Sequence, residues 1–387
     1  MRFPSLLRLA AGVVLAASPL FAAEAPTRIV VANGLDRSRA GETVAVPAGA
    51  APGLGAAELA KVAVVDGRTG KPVLSQAVDS DGDGTPDLLV FQADFGPGET
   101  KTFLLKPGAR APYRREDFRV YGRFVRERYD DFAWENEKVA HRMYGPALET
   151  WQAEPLTSSA VDVWCKRTSR LVVNDWYMVD DYHRDTGEGA DFYSAGKSRG
   201  VGGSGVWKDG RLFVARNFRA SRVLAAGPVR LVFDLTYEAW DAGGAKVSEV
   251  KRVTLDAGSR FNRFESFYTA EGGAPVAHSG GLKKAPGSAV RIDKAAGTVR
   301  TWETFKGDNG NLGLALVVDP STLEDVVEEE GNVLAVAKPS SRGPAVHWAG
   351  SAWDRGGEVK SVEEWDRAVA DFAERVRSPL KVEVPKR

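Results

Sequence analysis

Residues 229–239 read Val-Arg-Leu-Val-Phe-Asp-Leu-Thr-Tyr-Glu-Ala, and this alternation decides the fold class. Val229, Leu231, Phe233, Leu235 and Tyr237 fall on one side of an extended chain, and Arg230, Asp234, Thr236 and Glu238 on the other. Successive side chains of a strand point to opposite faces, so the stretch predicts a strand with one buried face, as in antiparallel sheets. Segments 247–255 and 261–268 continue the pattern on either side of Asp256-Ala257-Gly258-Ser259, a hairpin signature. Segments 312–318, 333–337 and 345–349 read the same way. No strand–helix–strand rhythm and no internal repeat is visible, so the expected fold is mainly β and antiparallel.

Upstream, segments 28–32, 43–46, 61–65, 73–77, 88–92 and 100–105 are short β-branched or alternating runs. Turn residues separate them: Asp66-Gly67, Gly70, Gly82 and Gly96-Pro97-Gly98. They predict a small β-sandwich over residues 24–108, followed by a linker at 109–112 and a large domain over 113–387. Near the end, Ser361 and Glu364 form a capping-box pattern. Val362, Trp365, Val369, Phe372 and Val376 then recur at helical spacing, predicting an amphipathic helix packed on the body.

The first residues carry an address. Arg2 and Arg8 precede a short apolar run at 9–17 and small residues around Ala22 and Ala23. That order predicts a secretory signal peptide over 1–23, and with it a periplasmic or secreted protein. The run is shorter than the about 20 residues a membrane span needs, and no later segment is apolar enough to cross a bilayer.

The 387 residues balance 52 basic against 52 acidic side chains, with no basic stripe of the kind nucleic-acid binding requires. Cys165 is the single cysteine, so no intrachain disulfide forms, and a buried structural thiol is expected. Ten tryptophans suit a β-protein that binds something flat.

Three stretches carry chemistry. Residues 79–87 read Asp-Ser-Asp-Gly-Asp-Gly-Thr-Pro-Asp. Carboxylates at alternate positions with glycine at the turns suit a hard cation, and Asp79, Asp81, Asp83 and Asp87 are candidate ligands for a structural Ca²⁺. The twelfth position of an EF-hand loop would need Glu, and Val90 stands there. Around Trp134-Glu135-Asn136-Glu137 and His141-Arg142-Met143-Tyr144, alternate residues offer an acid or base, a cation and an aromatic platform. The third stretch holds Asn174-Asp175-Trp176-Tyr177, then Tyr182-His183-Arg184-Asp185, Glu188, Asp191, Tyr193 and Lys197. His183 has the most polar setting of the four histidines and suits proton transfer. Gly200, Gly202 and Gly205 match G-x-G-x-x-G, but no strand precedes and no helix follows, so no nucleotide cofactor is expected.

At these residues the chain resembles a bacterial family known as domain of unknown function 4861. The resemblance rests on 132–137 with Arg142-Met143-Tyr144-Gly145-Pro146, on Tyr182-His183 with 187–193, on Asp256-Ala257-Gly258-Ser259, on Ala352-Trp353-Asp354 and on the small Asp-loop domain. It implies a galactose-mutarotase-like β-supersandwich for the large domain. It also implies work on carbohydrate, because such proteins accompany pectin- and uronate-degrading enzymes.

The reaction expected first is β-elimination by a lyase or dehydratase on acidic, uronic-acid-containing oligosaccharides. Arg142 or Arg184 would neutralise the substrate carboxylate. His183 or Tyr182 would take the C5 proton, and Tyr177, Tyr193 or His141 would protonate the leaving oxygen. Trp134 and Trp176 would stack on sugar rings, with Glu135, Asn136, Tyr144 and Lys197 as further substrate contacts. Glycoside hydrolysis by a pair among Glu135, Asp185, Glu188 and Asp191 is the alternative. Non-catalytic glycan binding and aldose epimerisation stand behind it.

Overall fold

A computed structural model of the chain describes residues 26–50, 54–153, 155–179 and 181–385. The expected signal peptide lies outside the described residues. Among those residues, no helix is long and apolar enough to cross a membrane.

The fold is mainly β, built from several antiparallel sheets. The alternating stretch forms the strand Arg230–Asp241, second in an eight-stranded sheet. Its neighbours are Ala220–Ala226 on one side and Lys246–Asp256 on the other. Phe261–Ala270, Ala345–Trp353, Asn311–Val317, Thr298–Thr304 and Ala289–Asp293 complete the sheet in that order. Leu231, Phe233, Leu235 and Tyr237 are buried on its inner face, as their alternation requires. Val232 breaks the polar side of the pattern for a reason: it packs with Val78 and Val90 of the N-terminal unit.

Two five-stranded sheets share the inner core of the large sheet. One runs Arg211–Phe213, Val201–Lys208, His278–Lys283, Asn332–Ala337, Leu323–Glu329. The other runs Gly189–Ala190, Val161–Lys166, Ala140–Met143, Asp131–Asn136, Val120–Val125. Cys165 is buried in this core. The G-x-G-x-x-G residues open the strand Val201–Lys208, which pairs antiparallel with His278–Lys283. That is a sheet interior and not a strand-to-helix phosphate turn.

In the N-terminal unit, Ile29, Val31, Val64, Phe103 and Leu105 of one sheet share a core with Val44, Val46, Leu89 and Phe91 of a three-stranded sheet. The last strand, Lys381–Glu383, pairs with Thr27–Ala32 of this unit. The chain end, grouped by the sequence with the large domain, is thus part of the small sheet.

The helix spans Val362–Arg377. Ser361 Oγ accepts from Glu364 N at 3.3 Å, and the Glu364 carboxylate accepts from Lys360 N at 2.7 Å, one residue before the usual capping-box partner. Trp365, Val369 and Ala373 bury its apolar stripe. Phe372 stacks on Phe261 at 3.9 Å. Gly313 is required beneath it, because a Cβ there would lie 2.5 Å from the Trp365 ring.

Candidate functional site

Strand register sorts the candidate residues onto two faces. Arg142 lies opposite Ala133 and Asp162, and Ala140 lies opposite Glu135 and Trp164. Asp131, Glu135, Arg142, Asp162, Trp164 and Lys166 therefore share the outer face of their sheet. Phe132, Trp134, His141 and Met143 point into the core. The segment after Lys166 folds back over the outer face. Its short helix Val173–Tyr177 and Tyr182 pack on Ala133, Ala140 and Trp164. Both faces of these strands are thus buried, and polar residues on the outer face need partners there.

Arg142 gathers most of them. Its Nε donates to Asp162 at 2.7 Å, Nη2 to Asp191 at 3.1 Å and Nη1 to the Tyr182 hydroxyl at 2.9 Å. Asp131 stands 3.7 Å from Nη1. Three carboxyls thus surround one guanidinium, and the Arg142 charge is already balanced. Burial opposes that charge, yet Asp162 and Asp191 hold Arg142 well above its ordinary value. Burial pushes the Asp131 carboxyl up to about 7, although Arg142 and the Gly145 N–H pull it down. Burial and the adjacent Asp162 push Asp191 up as well. Asp191 Oδ1 and the hydroxyls of Tyr177 and Tyr193 are buried without a protein hydrogen-bond partner. A buried polar cluster with unmade bonds is costly unless water or ligand completes it.

The rim of this cluster faces solvent. His183 Nδ1 lies 2.8 Å from the Asp191 carbonyl. A carbonyl only accepts, so Nδ1 carries the proton and, in the neutral ring, Nε2 keeps its lone pair. The ring is 56% exposed and lies 4.5 Å from that of Tyr182. Arg128, half-buried, sits 5.1 Å from the Tyr182 ring centroid, 5.3 Å from Tyr129 and 5.7 Å from Trp151. Tyr129 and Trp151 stack at 4.4 Å. No carboxylate among the described residues forms an ion pair with Arg128, although its charge pulls down the buried Asp131 and Asp191. Its backbone neighbours are strained: Tyr129 and Asp130 are consecutive non-glycine residues with φ of 51° and 62°. Gly145 must pass close by, since a Cβ there would fall 1.8 Å from the Asp130 carbonyl oxygen.

Arg142, Tyr144, Tyr182 and His183 thus come together, and Tyr193 follows two residues after Asp191. Lys283 lies 4.6 Å from the Tyr193 ring centroid and 3.7 Å from Glu303. Arg184 and Lys197 are exposed. Several candidates are instead structural. Trp134, expected as a stacking platform, is fully buried and donates to Asn262 Oδ1 at 2.8 Å. Trp176 is buried and stacks on Trp164 at 5.4 Å. Glu135 accepts from Lys166 Nζ and from the Val172 and Val173 amides at 2.7–2.8 Å, which caps the short helix. Asn136 donates to the carbonyls of Asp256 and Ser259 and accepts from the Lys138 and Val139 amides. His141 lies against the Trp134 ring on the core side, and burial pushes its pKa down to about 4.

In the N-terminal loop, carboxylate oxygens of Asp79, Asp81 and Asp83 lie within 4.8 Å of one another. Burial raises Asp79, but the Gly82 and Gly84 amides outweigh it and hold the carboxyl below its ordinary value. Asp87, expected as a fourth ligand, is turned away: its oxygens accept from Ser80 N and Ser80 Oγ. Arg252 ties this loop to the large sheet through the Ser80 and Asp81 carbonyls.

Asp131 and Asp162, acids on otherwise largely apolar buried strands that also carry Glu135 and Lys166, and the Arg128–Tyr129–Trp151 group were not among the sequence candidates. A charged residue in an otherwise apolar strand was the available signal, since such a residue needs a buried partner.

The strand order and these residues place the chain in a class of antiparallel β-sheet proteins with a small N-terminal sandwich. The chain belongs to the family described as domain of unknown function (DUF4861), whose model matches residues 31–382. A curated protein of Formosa agariphila, Uncharacterized protein P7, is 32% identical over 372 residues, covering 92% of this chain and 93% of that one. Among solved structures, a protein in the glycosyl hydrolase family 38 from Enterococcus faecalis aligns with a TM-score of 0.50 at 11% identity, over 94% of this chain and 48% of that one. An alpha-mannosidase from Enterococcus faecalis V583 aligns with a TM-score of 0.45 at 11% identity, over 94% and 46% of the two chains. The chain spans about half the length of these enzymes, and the first likeness concerns the fold alone.

Proposed function

We propose that this protein is a carbohydrate-active enzyme that cleaves uronic-acid-containing oligosaccharides by β-elimination at the Tyr182–His183 edge of the Arg142 cluster. The observation that carries the reading is Arg128: a half-buried cation that makes no ion pair with a carboxylate among the described residues, although its charge reaches the buried Asp131 and Asp191, and that packs against three aromatic rings, one of which, Tyr182, also borders the His183 ring. Arg142 was the first expectation for neutralising the substrate carboxylate, but its charge is taken up by Asp162 and Asp191. Arg128 is better suited to that role. With the carboxylate neutralised, the C5 proton becomes acidic enough for His183 Nε2 to take it. The electron pair forms the C4–C5 double bond as the C4–oxygen bond breaks. The Tyr182 hydroxyl, held by Arg142, is placed to return a proton to the leaving oxygen. Tyr129 and Trp151 offer the apolar face on which a sugar ring packs.

A second reading has an observation of its own. A carboxyl pushed up to about 7 beside other acids is the arrangement of a hydrolytic acid–base pair, and Asp131 is such a carboxyl. Incubation with uronate oligomers separates the two. Elimination produces an unsaturated sugar with new ultraviolet absorbance for each reducing end gained, and hydrolysis gains reducing ends without that absorbance. Reducing ends alone would overturn elimination. In the elimination case, Arg128→Ala raises KM for uronate oligomers far more than for their methyl esters.

A further inference from the structure

A cleft of about 680 Å³ opens at the end of the large sheet, away from the Arg142 cluster. Tyr268 and His278 line its floor, Trp348 and Thr322 its sides, and Lys338, Arg342 and Asp319 are among its other polar residues. Its walls are braced. Val276 and Ser340 exchange both backbone hydrogen bonds at 2.9 and 3.0 Å, and Lys338 N donates to the Thr322 carbonyl at 2.8 Å. Pro339 and Pro344 bracket the loop between them. An opening with pinned walls, lined by apolar side chains with a few polar ones among them, is a pre-formed pocket and not a packing gap.

The floor is fixed by a chain of hydrogen bonds running inward. His347 Nε2 lies 2.9 Å from the Gly202 carbonyl and must donate to it. Its Nδ1 therefore accepts from His278 Nε2 at 3.0 Å, and His278 Nδ1 accepts from the Tyr268 hydroxyl at 2.9 Å, the shorter of that hydroxyl's two contacts, the other being the Gly205 carbonyl at 3.3 Å. Burial keeps both rings neutral, with His347 pushed down to about 4. The chain ends on a carbonyl, which cannot take a proton, so it orients Tyr268 and His278 and does not carry protons away. Glycines on two paired strands make room for it. A Cβ on Gly280 would fall 3.2 Å from the His347 ring, and one on Gly202 would fall 2.4 Å from Ala349 Cβ.

The mouth is cationic. Arg342 is exposed and without a carboxylate partner among the described residues, and Lys338 Nζ donates to the Ser321 carbonyl at 2.8 Å. Arg263 also lines the cleft but is paired with Glu265. Asp319 is the acidic residue among the lining side chains, and its Oδ1 is engaged by the Ser321 amide.

We infer that this cleft is a second ligand site, for a carboxylate-bearing monosaccharide. Its ring would pack over Tyr268 and His278 and its carboxylate would meet Arg342 and Lys338. The inference rests on the cleft alone and stands apart from the proposed reaction.

Calorimetric titration with glucuronate tests it, with glucose as the uncharged comparator. Saturable glucuronate binding is expected, with weaker glucose binding. Arg342→Ala, an exposed change that spares the fold, should weaken glucuronate binding roughly tenfold, the loss of one charge-assisted hydrogen bond. Tyr268→Phe keeps the ring but releases His278, and should weaken both sugars. Arg128→Ala should leave the binding lost in Arg342→Ala in place, and removes only a separate uptake of glucuronate at the Arg128 edge. No saturable binding to the unmodified protein would overturn the inference. So would equal affinity for both sugars, or glucuronate binding that survives Arg342→Ala and is lost in Arg128→Ala.

Discussion

Two buried ion clusters lie side by side on one sheet face, and they are built oppositely. Glu135 and Lys166 form a closed pair. The carboxylate is filled by one ammonium and two amides, and Lys166 spends a second bond on the Asn136 carbonyl. Burial lowers the Lys166 pKa, with Glu135 pulling the other way. Arg142, two residues along the neighbouring strand from Ala140, is surrounded by more acid than it can neutralise, and Asp191 Oδ1 and the Tyr177 hydroxyl beside it lack protein partners. A chain selected for stability alone would close both clusters in the first manner, because an unsatisfied buried acid is costly. The contrast separates a helix clamp from a candidate site.

Breaking the clamp should have the largest effect on folding. Glu135→Ala strands Lys166 and two amides, and is expected to cost about 3–5 kcal/mol in denaturant unfolding. A loss below about 1 kcal/mol would remove the clamp from the account.

The open cluster should respond through pH. Between the ordinary carboxylate value of 3.8 and about 7, the folded chain holds a proton on Asp131 that the unfolded chain has lost. Its contribution to stability therefore falls as pH rises through that window. Asp131→Asn keeps an acceptor for the Gly145 amide and deletes this slope. The difference in Tm between variant and parent should move in the variant's favour from pH 5 to pH 8. A difference that stays flat would show that Asp131 ionises normally.

The smallest effect is expected at the Asp79–Asp83 loop, proposed here to hold a structural Ca²⁺. Millimolar Ca²⁺ should raise Tm by a few degrees through binding the folded state, and Asp81→Asn should abolish the rise. An identical Tm with Ca²⁺ and with chelator would dismiss the ion.

The same contrast explains what was legible in the sequence. The strand at 229–239 reads correctly because only one of its faces is buried against the main core, so polarity reports orientation. Asp131–Asn136 and Val161–Lys166 are buried on both faces, so alternation no longer tells inside from outside. For that reason Trp134 reads as a platform although it is core, and Asp131 and Asp162 pass unnoticed. Tyr182, His183 and Arg142 were legible because polar types crowd there. Arg128 was not, because its neighbours arrive from 151 and 182 through folding. The strand Lys381–Glu383 carries no pattern in three residues and is specified by its partner.

In the proposed elimination, His183 takes the proton and the aromatic and cationic side chains around it hold the sugar. The most direct measurement is turnover of uronate oligomers by His183→Ala, followed by ultraviolet absorbance, alongside its thermal unfolding. An exposed ring contributes little to stability, so Tm should stay within a degree or two while kcat falls at least about 100-fold, the loss of a general base. Undiminished turnover in a folded His183→Ala protein would contradict the account.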